Sequence, residues 1–208
     1  MAAMAHQFSK IAFTPAVRTI QHRMGSARAY EGRLSGDEPT GDRLGEDEMA
    51  FIAARDSFYM ASVGETGWPY VQHRGGPAGF LKALDETTLG FADYRGNRQY
   101  VSVGNLSGDD RVCLFLMDYA NQARLKIFGH ARVTLDPGDL AKLSPLQYSG
   151  KVERGLLITV AGLDWNCSQH ITPRFSRDEV IAGVLPLQRR IAELEAQVAA
   201  LTGNKIAD

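Results

Sequence analysis

Residues 79–106 read GFLKALDETTLGFADYRGNRQYVSVGNL, and this stretch decides the fold. GFLKALD and LGFADY are short β-rich runs, and the ETT between them predicts a turn that makes them a strand pair. RGNRQYVSVGNL then departs from strand chemistry. Asn97 can act as an N-cap and GNL offers a stop, so we expect a helix of about two turns that links two hairpins.

Further strands flank this stretch on both sides. SFYMASVG, a turn at ETG and WPYVQHR predict one hairpin before it, and RVCLFLMDY with ARLKIFGHARVTLD predicts another after it. EMAFIAARD indicates a helix capped by Asp47, LAKLSPLQYSG a connecting helix with a proline break, and GLLITVAGLDW a further strand. The pattern is typical of a mainly β protein, a small closed or split β-barrel with flanking helices.

The two ends of the chain differ from this centre, which we assign to a barrel domain at residues 47–178. Residues 1–46 are glycine-rich with a helix candidate at PAVRTIQHRMG, and we interpret them as an arm that is disordered alone or wraps a partner subunit. Residues 179–208 predict an amphipathic helix that starts at Pro186 and either docks on its own domain, packs across a dimer or serves an external partner. Its apolar seam has alternating spacings of four and three: Leu187, Ile191, Leu194, Val198 and Leu201.

Composition excludes several classes of protein. The 208 residues carry a net charge of −1, with 44% hydrophobic and 23% charged residues, as in an ordinary soluble globular protein. This charge argues against a nucleic-acid binder, and no apolar run reaches the roughly 20 residues of a membrane span. With two cysteines and no secretory leader pattern, we expect no disulfide framework and a cytoplasmic location.

Metal and nucleophile chemistry find little support. His170 lies three residues after Cys167 in WNCSQHITPRF, but no further zinc ligands and no HExxH motif accompany them. A Cys167 thiolate assisted by His170 lacks an orienting acid and an oxyanion donor. We therefore predict no metal site and treat His170 only as a weak catalytic candidate.

Phosphate binding is better supported. HRGGPAGF, RGNRQ and ARLK are rich in basic or amide donors, and RGNRQ lies at the start of the predicted helix, where free N–H groups attract phosphate. A charged, solvated turn is the alternative for RGNRQ. Trp165, among amides, a histidine and an arginine, suits a heteroaromatic ring with carbonyl groups such as a flavin, or else a core position on the final strand.

Taken in order, these segments resemble the flavin-binding split-barrel family typified by pyridoxamine 5'-phosphate oxidase, from Phe51 to Phe175. GFLKALDETTLGFADY is similar to the family's strand–turn–strand, and RGNRQYVSVGNL to its phosphate-binding turn and helix. LKIFGHARV is similar to its next hairpin, with Gly129 at a family glycine. HRGGPAGF, RGNRQ and WNCSQHITPRF are closer to a subgroup described as predicted flavin-nucleotide-binding proteins.

The resemblance implies a six-stranded split β-barrel of the FMN-binding type and a homodimer with FMN at the subunit interface. It places Gly79, Phe80, Leu81 and Lys82 along the isoalloxazine ring, Phe91 and Asp93 near the ribityl chain, and Asn97, Arg98 and Gln99 at the phosphate. It places Arg124 where the family uses a glutamine of the partner subunit, Trp165 against the ring, and Arg174 near a late family arginine.

Two departures from the family pattern limit what it implies. The phosphate turn of the family carries an Arg-Lys pair, and Gln99 stands in the lysine's place, so we expect Arg74 to supply the missing charge. LAKLSPLQYSG and SQHITPRF lack the residues with which the oxidase holds its substrate. The resemblance therefore implies the cofactor but not the substrate.

The expected function is an FMN-dependent oxidoreductase that acts on a small molecule. Arg124 or Lys82 would stabilise the reduced flavin, and His170 would serve as proton donor or substrate ligand. The alternative is a non-catalytic flavin or haem carrier or sensor on the same barrel, with His73, His130 or His170 as candidate haem ligands.

Overall fold

The computed structural model describes residues 7–34, 42–145, 148–165 and 169–203. The chain divides into two compact units. The first runs to Asp118 and continues from Ala123 to Gln169. The second combines Tyr119–Gln122 with the chain from His170 onward.

The first unit is built on one antiparallel sheet of seven strands in the order β2-β1-β5-β6-β7-β4-β3. The strands are β1 (Ser57–Val63), β2 (Pro69–Gly75), β3 (Lys82–Ala83), β4 (Thr88–Tyr94), β5 (Arg111–Asp118), β6 (Ala123–Thr134) and β7 (Val152–Trp165). This sheet with flanking helices confirms the predicted fold class, with seven strands in place of six. β7 pairs with both β6 and β4, so its 14 residues join the two halves of the sheet.

The helices lie before, between and after the strands. They are α1 (Gln7–Ala12), α2 (Pro15–Arg23), α3 (Ala27–Tyr30) with a 3₁₀ turn at Glu31–Arg33, α4 (Glu46–Ala53), α5 (Val101–Gly108), α6 (Pro137–Leu143) and α7 (Arg177–Gly203). The predicted helices at PAVRTIQHR and before Pro145 are present. None of the described helices is both long and apolar enough to cross a membrane.

The core lies on the inner face of the strands, where alternation of apolar and polar residues places it. In β5 every second residue is buried, from Val112 to Leu116. Phe58, Phe80 and Phe91 form an aromatic cluster at the centre, with ring centroids 5.3–6.3 Å apart. Aromatic pairs at this spacing add specific stabilisation to the burial of their area.

The first helix of the predicted arm packs on the barrel of its own chain. Phe8 is buried and stacks on Phe128 of β6 with a centroid separation of 4.6 Å. The Asp42 carboxylate accepts hydrogen bonds from the backbone N–H groups of Gln7, Phe8 and Leu163, which fixes α1 against β7. The boundaries 1–46, 47–178 and 179–208 stay a prediction.

Three helix starts differ from the sequence predictions. α4 begins at Glu46 rather than after Asp47, because the Glu48 carboxylate accepts from the Gly45 N–H and makes Gly45 the cap. α7 begins at Arg177, nine residues before Pro186, because Ser176 and Glu179 form a reciprocal capping box. Pro186 therefore lies inside the helix.

α5 begins four residues after Asn97, the expected cap. Arg98 and Tyr100 have φ angles of 62° and 55°, which no right-handed helix contains. The Asn97 side chain instead accepts from the Gln99 N–H at 3.2 Å, a local turn that competes with helix formation. RGNRQ is therefore a loop and not the first turn of a helix.

Candidate functional site

A polar pocket of about 200 Å³ opens where this loop meets the sheet. It lies between β2, β4, the start of β7 and the start of α5. The Ser102 hydroxyl donates to the Gln72 side chain at 2.7 Å and ties α5 to β2. The residues of the polar pocket are Tyr70, Gln72, Arg74, Asp93, Tyr94, Gly96, Asn97, Arg98, Gln99, Tyr100, Val101, Ser102, Val103 and Glu153.

A buried ion cluster forms the floor of the polar pocket. Arg74 Nη1 lies 2.6 Å from one Asp93 oxygen, and Arg154 Nε lies 3.5 Å from the other. Burial raises the pKa of Asp93, and the two guanidinium groups oppose that rise. Burial also lowers the pKa of Arg74, against the effect of Asp93. The cluster connects β2, β4 and β7 through one carboxylate.

Two donors of this cluster are left without a hydrogen-bond partner. Arg74 Nε and Arg154 Nε are both buried and have no hydrogen-bond partner in the described part of the chain. A buried N–H donor without an acceptor is costly, and such donors in native proteins often await a ligand or water. Of these two arginines Arg74 lines the polar pocket, so its Nε is the candidate donor to an acceptor bound there.

A further cation, Arg98, lines the polar pocket. Arg98 is exposed and donates through Nε to the Tyr100 hydroxyl at 3.1 Å, a bond that raises the pKa of Arg98. Arg95 lies 3.7 Å from Glu153. Arg74 and Arg98 line the polar pocket, and Arg154 and Arg95 pair with its carboxylates Asp93 and Glu153. These four arginines outnumber the two carboxylates, and the net positive charge suits an anion.

The positive φ angles of Arg98 and Tyr100 also favour anion binding at this loop. Chain segments with residues in the left-handed region point successive N–H groups inward and form concavities for anions. Asn97, Arg98 and Gln99, predicted to hold a phosphate, all line the polar pocket, as do Arg74 and Asp93. The structure therefore brings together five of the predicted cofactor residues.

HRGGPAGF is divided between β2 and a tight turn. Arg74 belongs to β2 and enters the polar pocket, whereas Gly79 has a φ of 77° and donates its N–H to the Arg55 carbonyl. A Cβ at Gly76 would lie 2.7 Å from the Phe80 ring, so this glycine allows the turn to close. The glycines thus serve the backbone and do not form a phosphate cradle.

The segment predicted to follow the flavin ring is not a continuous strand. Only Lys82 and Ala83 pair with β4, and β3 is an edge strand of the sheet. The side chains of Phe80, Leu81 and Phe91 are buried in the core, so these residues could meet a ligand only through their backbone. The Phe80 N–H donates to Pro77 O, and Lys82 Nζ donates to Lys142 O at 2.7 Å.

Trp165 and Arg124 lie away from the polar pocket. Trp165 Nε1 donates to the Glu48 carboxylate at 2.6 Å, and its ring packs edge-on against Phe51. It ends β7, twelve residues after Glu153 at the pocket, which corresponds to about 40 Å of extended strand. Arg124 precedes Leu125, the β6 residue that pairs with Trp165, and its buried Nε has no hydrogen-bond partner among the described residues.

The sequence matches the family model described as Pyridoxamine 5'-phosphate oxidase over residues 44–157, more than half of the chain. This chain belongs to the pyridoxamine 5'-phosphate oxidase family. The matched region contains the whole polar pocket and ends within β7. No curated protein matches the sequence.

Several solved structures resemble this member of the pyridoxamine 5'-phosphate oxidase family. One is a protein from Clostridium acetobutylicum that is related to general stress protein 26, of the pyridoxinephosphate oxidase family. It is 16% identical in sequence, the match covers 64% of this chain and 94% of that chain, and the TM-score is 0.44. An FMN-binding protein from Syntrophomonas wolfei has 9% identity, coverages of 56% and 81%, and a TM-score of 0.45. An FAD binding protein from Mycobacterium smegmatis has 12% identity, coverages of 60% and 96%, and a TM-score of 0.43.

Two further predicted residues of this family member, Arg174 and His170, lie in the second unit. Arg174 lies over the Tyr119 ring at 5.0 Å, and His170 is exposed with a φ of 64°. Cys167 lies outside the described residues. Of the candidate haem ligands, His73 packs against the Tyr59 ring, and His130 Nδ1 lies 2.9 Å from an Asp110 oxygen. The described residues contain no group of three or more potential metal ligands.

Two β7 residues were not predicted from the sequence: Glu153, which lines the pocket of this family member, and Arg154, which pairs with Asp93. Both carry charge at the start of a strand whose remaining residues are almost all apolar, VERGLLITVAG. That contrast was the available signal. It indicates a functional or structural ion cluster, since a charge beside a buried strand needs a partner.

Proposed function

We propose that this protein binds FMN at the polar pocket and acts as an oxidoreductase on a small-molecule substrate. The observation that carries the proposal is the unpartnered, buried Arg74 Nε in a cationic pocket within the family-matched region. FMN, when bound, supplies the redox chemistry, and the protein supplies binding and orientation.

The donor set fits a phosphate group. Arg98 and the amides of Asn97 and Gln99 lie on the loop at the pocket mouth, and Arg74 lies on its floor. Arg74 carries the charge that Gln99 does not supply, and its Nη1 remains paired with Asp93 while Nε meets the ligand. A dianionic phosphate is stabilised by such charge-assisted hydrogen bonds.

We further propose that the cofactor lies between two copies of the chain. The polar pocket of about 200 Å³ is smaller than the roughly 300–1,000 Å³ of ordinary ligand sites. It suits the phosphate end of FMN, and the ring then lies beside the edge strand β3. Trp165 at the far end of β7 and Arg124 on the neighbouring β6 reach that ring from the partner subunit.

A non-catalytic flavin carrier is the second candidate. Neither a histidine nor a cysteine is among the residues that line the polar pocket, and His170 is exposed in the second unit. Such a pocket holds a cofactor without offering a general acid or base of ordinary type. The two candidates differ in turnover and not in cofactor.

The absorption spectrum of the purified protein tests the cofactor. We expect the two visible flavin bands, and release of FMN rather than FAD on denaturation. A sharp Soret band would instead identify haem and contradict the proposal. Reoxidation of the reduced protein by oxygen, nicotinamide cofactors and quinones then separates an enzyme from a carrier.

Replacement of Arg98 by alanine tests the phosphate position. Because one charge-assisted contact is lost, we expect the dissociation constant for FMN to rise roughly tenfold, measured by fluorescence quenching of the flavin. Arg132→Ala is the matched control, since Arg132 is an exposed β6 arginine outside the polar pocket. Equal affinities of the two variants would place the phosphate elsewhere.

A further inference from the structure

The helix α7 carries a longer apolar seam than its sequence start at Pro186 suggested. Because the helix begins at Arg177, Val180 and Val184 continue the same alternation of four and three residues toward the N-terminus. All seven seam residues are between 40% and 70% exposed. The seam consists of Val180, Val184, Leu187, Ile191, Leu194, Val198 and Leu201.

The residue types on the seam select one mode of pairing. In heptad notation the a positions are Val184, Ile191 and Val198, all β-branched, and three of the four d positions are leucine. β-branched residues at a with leucine at d favour two parallel helices. The 3.5-residue repeat extends over three heptads, about 40 Å of helix including the ends.

The charges beside the seam fit the same arrangement. Arg190 is at a g position and Glu195 is at the following e position, and these positions face each other across a parallel, in-register pair. Within one chain Arg190 pairs with Glu193, and Glu195 has no ion-pair partner among the described residues. In an antiparallel pair e faces e and g faces g, so Arg190 and Glu195 would not meet.

Pro186 does not interfere with such a pair. It occupies a c position, and the carbonyl that its ring displaces belongs to Ala182 at an f position. Both are on the side of the helix opposite the seam. A bend there leaves the a and d residues in line.

We propose that α7 pairs with α7 of a second copy of this chain as a parallel, in-register, two-stranded coiled coil. The proposal goes beyond the proposed function and does not depend on the cofactor. Most helical stability in proteins comes from the packing of an apolar face, and burial of the seam supplies that packing to both partners.

Disulfide trapping tests the direction and register of the pair. In the full chain with Cys113→Ser and Cys167→Ser, Val180→Cys places one thiol at a d position near the start of α7. A parallel pair brings two copies of that thiol together, whereas an antiparallel pair separates them by about 30 Å, too far for a disulfide. Arg189→Cys, at an outward f position, is the matched control.

We expect a covalent dimer from Val180→Cys and little from Arg189→Cys under mild oxidation. Equal yields from both, or none from Val180→Cys, would overturn the proposal, including the case in which α7 docks on its own domain or an external partner. The FMN content of the same samples is measured in parallel. Trapping without bound FMN would contradict the proposed function alone.

Charge reversal gives an independent test that leaves the seam intact. Arg190→Glu opposes two carboxylates across the pair, so we expect most of the Val180→Cys trapping to be lost. Adding Glu195→Arg should restore it, because the opposite charges face each other again. The second change does not repair the contact between positions 190 and 193, so recovery reports the pairing between chains. An unchanged yield in Arg190→Glu, or no recovery in the double variant, would contradict the pairing.

Discussion

Three charged side chains at the polar pocket are largely buried. The side chains of Arg74, Asp93 and Arg154 are 11%, 11% and 16% exposed. The free-energy cost of removing each charge from water is largely offset by its attraction to the opposite charges of the cluster. Such a cluster contributes little net stability when complete. Its cost appears when one member is removed and the others stay buried.

Replacement of Asp93 by asparagine should lower the free energy of unfolding by about 3 kcal/mol, because two buried guanidinium groups lose their carboxylate. Chemical denaturation measures the change. Glu86→Gln is the matched control, since the Arg43–Glu86 pair is 61% and 62% exposed and should contribute less than about 1 kcal/mol. If the two variants lost equal stability, the cluster would not be buried as described.

A second residue-scale prediction concerns pH. The Arg111 guanidinium lowers the pKa of Asp109 from 3.8 to about 2, with the Arg111 backbone N–H as a further donor. A carboxyl with a lowered folded-state pKa stabilises the fold above pH 3.8, and that contribution is lost as the pH falls from 3.8 through about 2. Carbon-detected NMR titration should place the Asp109 midpoint near 2 and, in Arg111→Ala, closer to 3.8. A midpoint that did not move in the variant would show that Arg111 is not the cause.

At the scale of elements, the pairing of β6 and β7 determines the shape of the sheet. Its register shifts between Phe128 and Gly129, because β7 has one extra residue, Ala161, at this point, as in a β-bulge. A Cβ at Gly129 would lie 2.7 Å from the Thr159 carbonyl oxygen, which belongs to the backbone of β7. The glycine therefore permits the close approach of the two strands.

Gly129→Ala should destabilise the protein by about 1–3 kcal/mol, because the β7 backbone has to move to admit the methyl group. Gly104→Ala on the exposed face of α5 has nothing within 4 Å of its Cβ and should stabilise by about 0.5–1 kcal/mol. Thermal or chemical unfolding of both variants measures the difference. Effects of the same sign would contradict the described pairing.

The elements were predicted best where local patterns decide them. The hairpins β1–β2 and β5–β6 follow from alternation and turn residues, and the structure has them. Helix starts were predicted less well. Asn97 does not cap α5, because Arg98 and Tyr100 after it have positive φ angles. Pro186 does not start α7, because the capping box of Ser176 and Glu179 starts the helix upstream. Both outcomes depend on neighbours that compete for the same backbone groups.

At the scale of the whole molecule, the predicted cofactor residues fall into separate groups. Arg98 lines the polar pocket, and Arg124 lies beside the end of β7 that carries Trp165. If FMN contacts both groups, two chains build each site. Two chains with different substitutions should then form one complete site that neither variant forms alone.

Co-expression of Arg98→Ala with Arg124→Ala tests this arrangement. Each variant alone should bind FMN weakly, and Arg124→Ala breaks no hydrogen bond of Arg124 Nε within the described chain. In mixed dimers one of the two sites carries neither substitution, so about a quarter of all sites should recover full affinity when subunits pair at random. Separately purified variants mixed without exchange are the control. No recovery on co-expression would contradict a site shared between chains.

The sequence by itself determined the family resemblance and the strand and turn pattern, and it predicted a phosphate site at RGNRQ, because each depends on residues close together in the chain. Only the tertiary structure showed that Arg74 lines one pocket with the RGNRQ loop, that Asp93 pairs there with Arg74 and Arg154, and that Glu153 also lines the pocket. It also showed that Trp165 lies at the end of β7 that is far from the pocket. These features depend on strand pairing between distant segments and on the burial of charge, which no local pattern encodes.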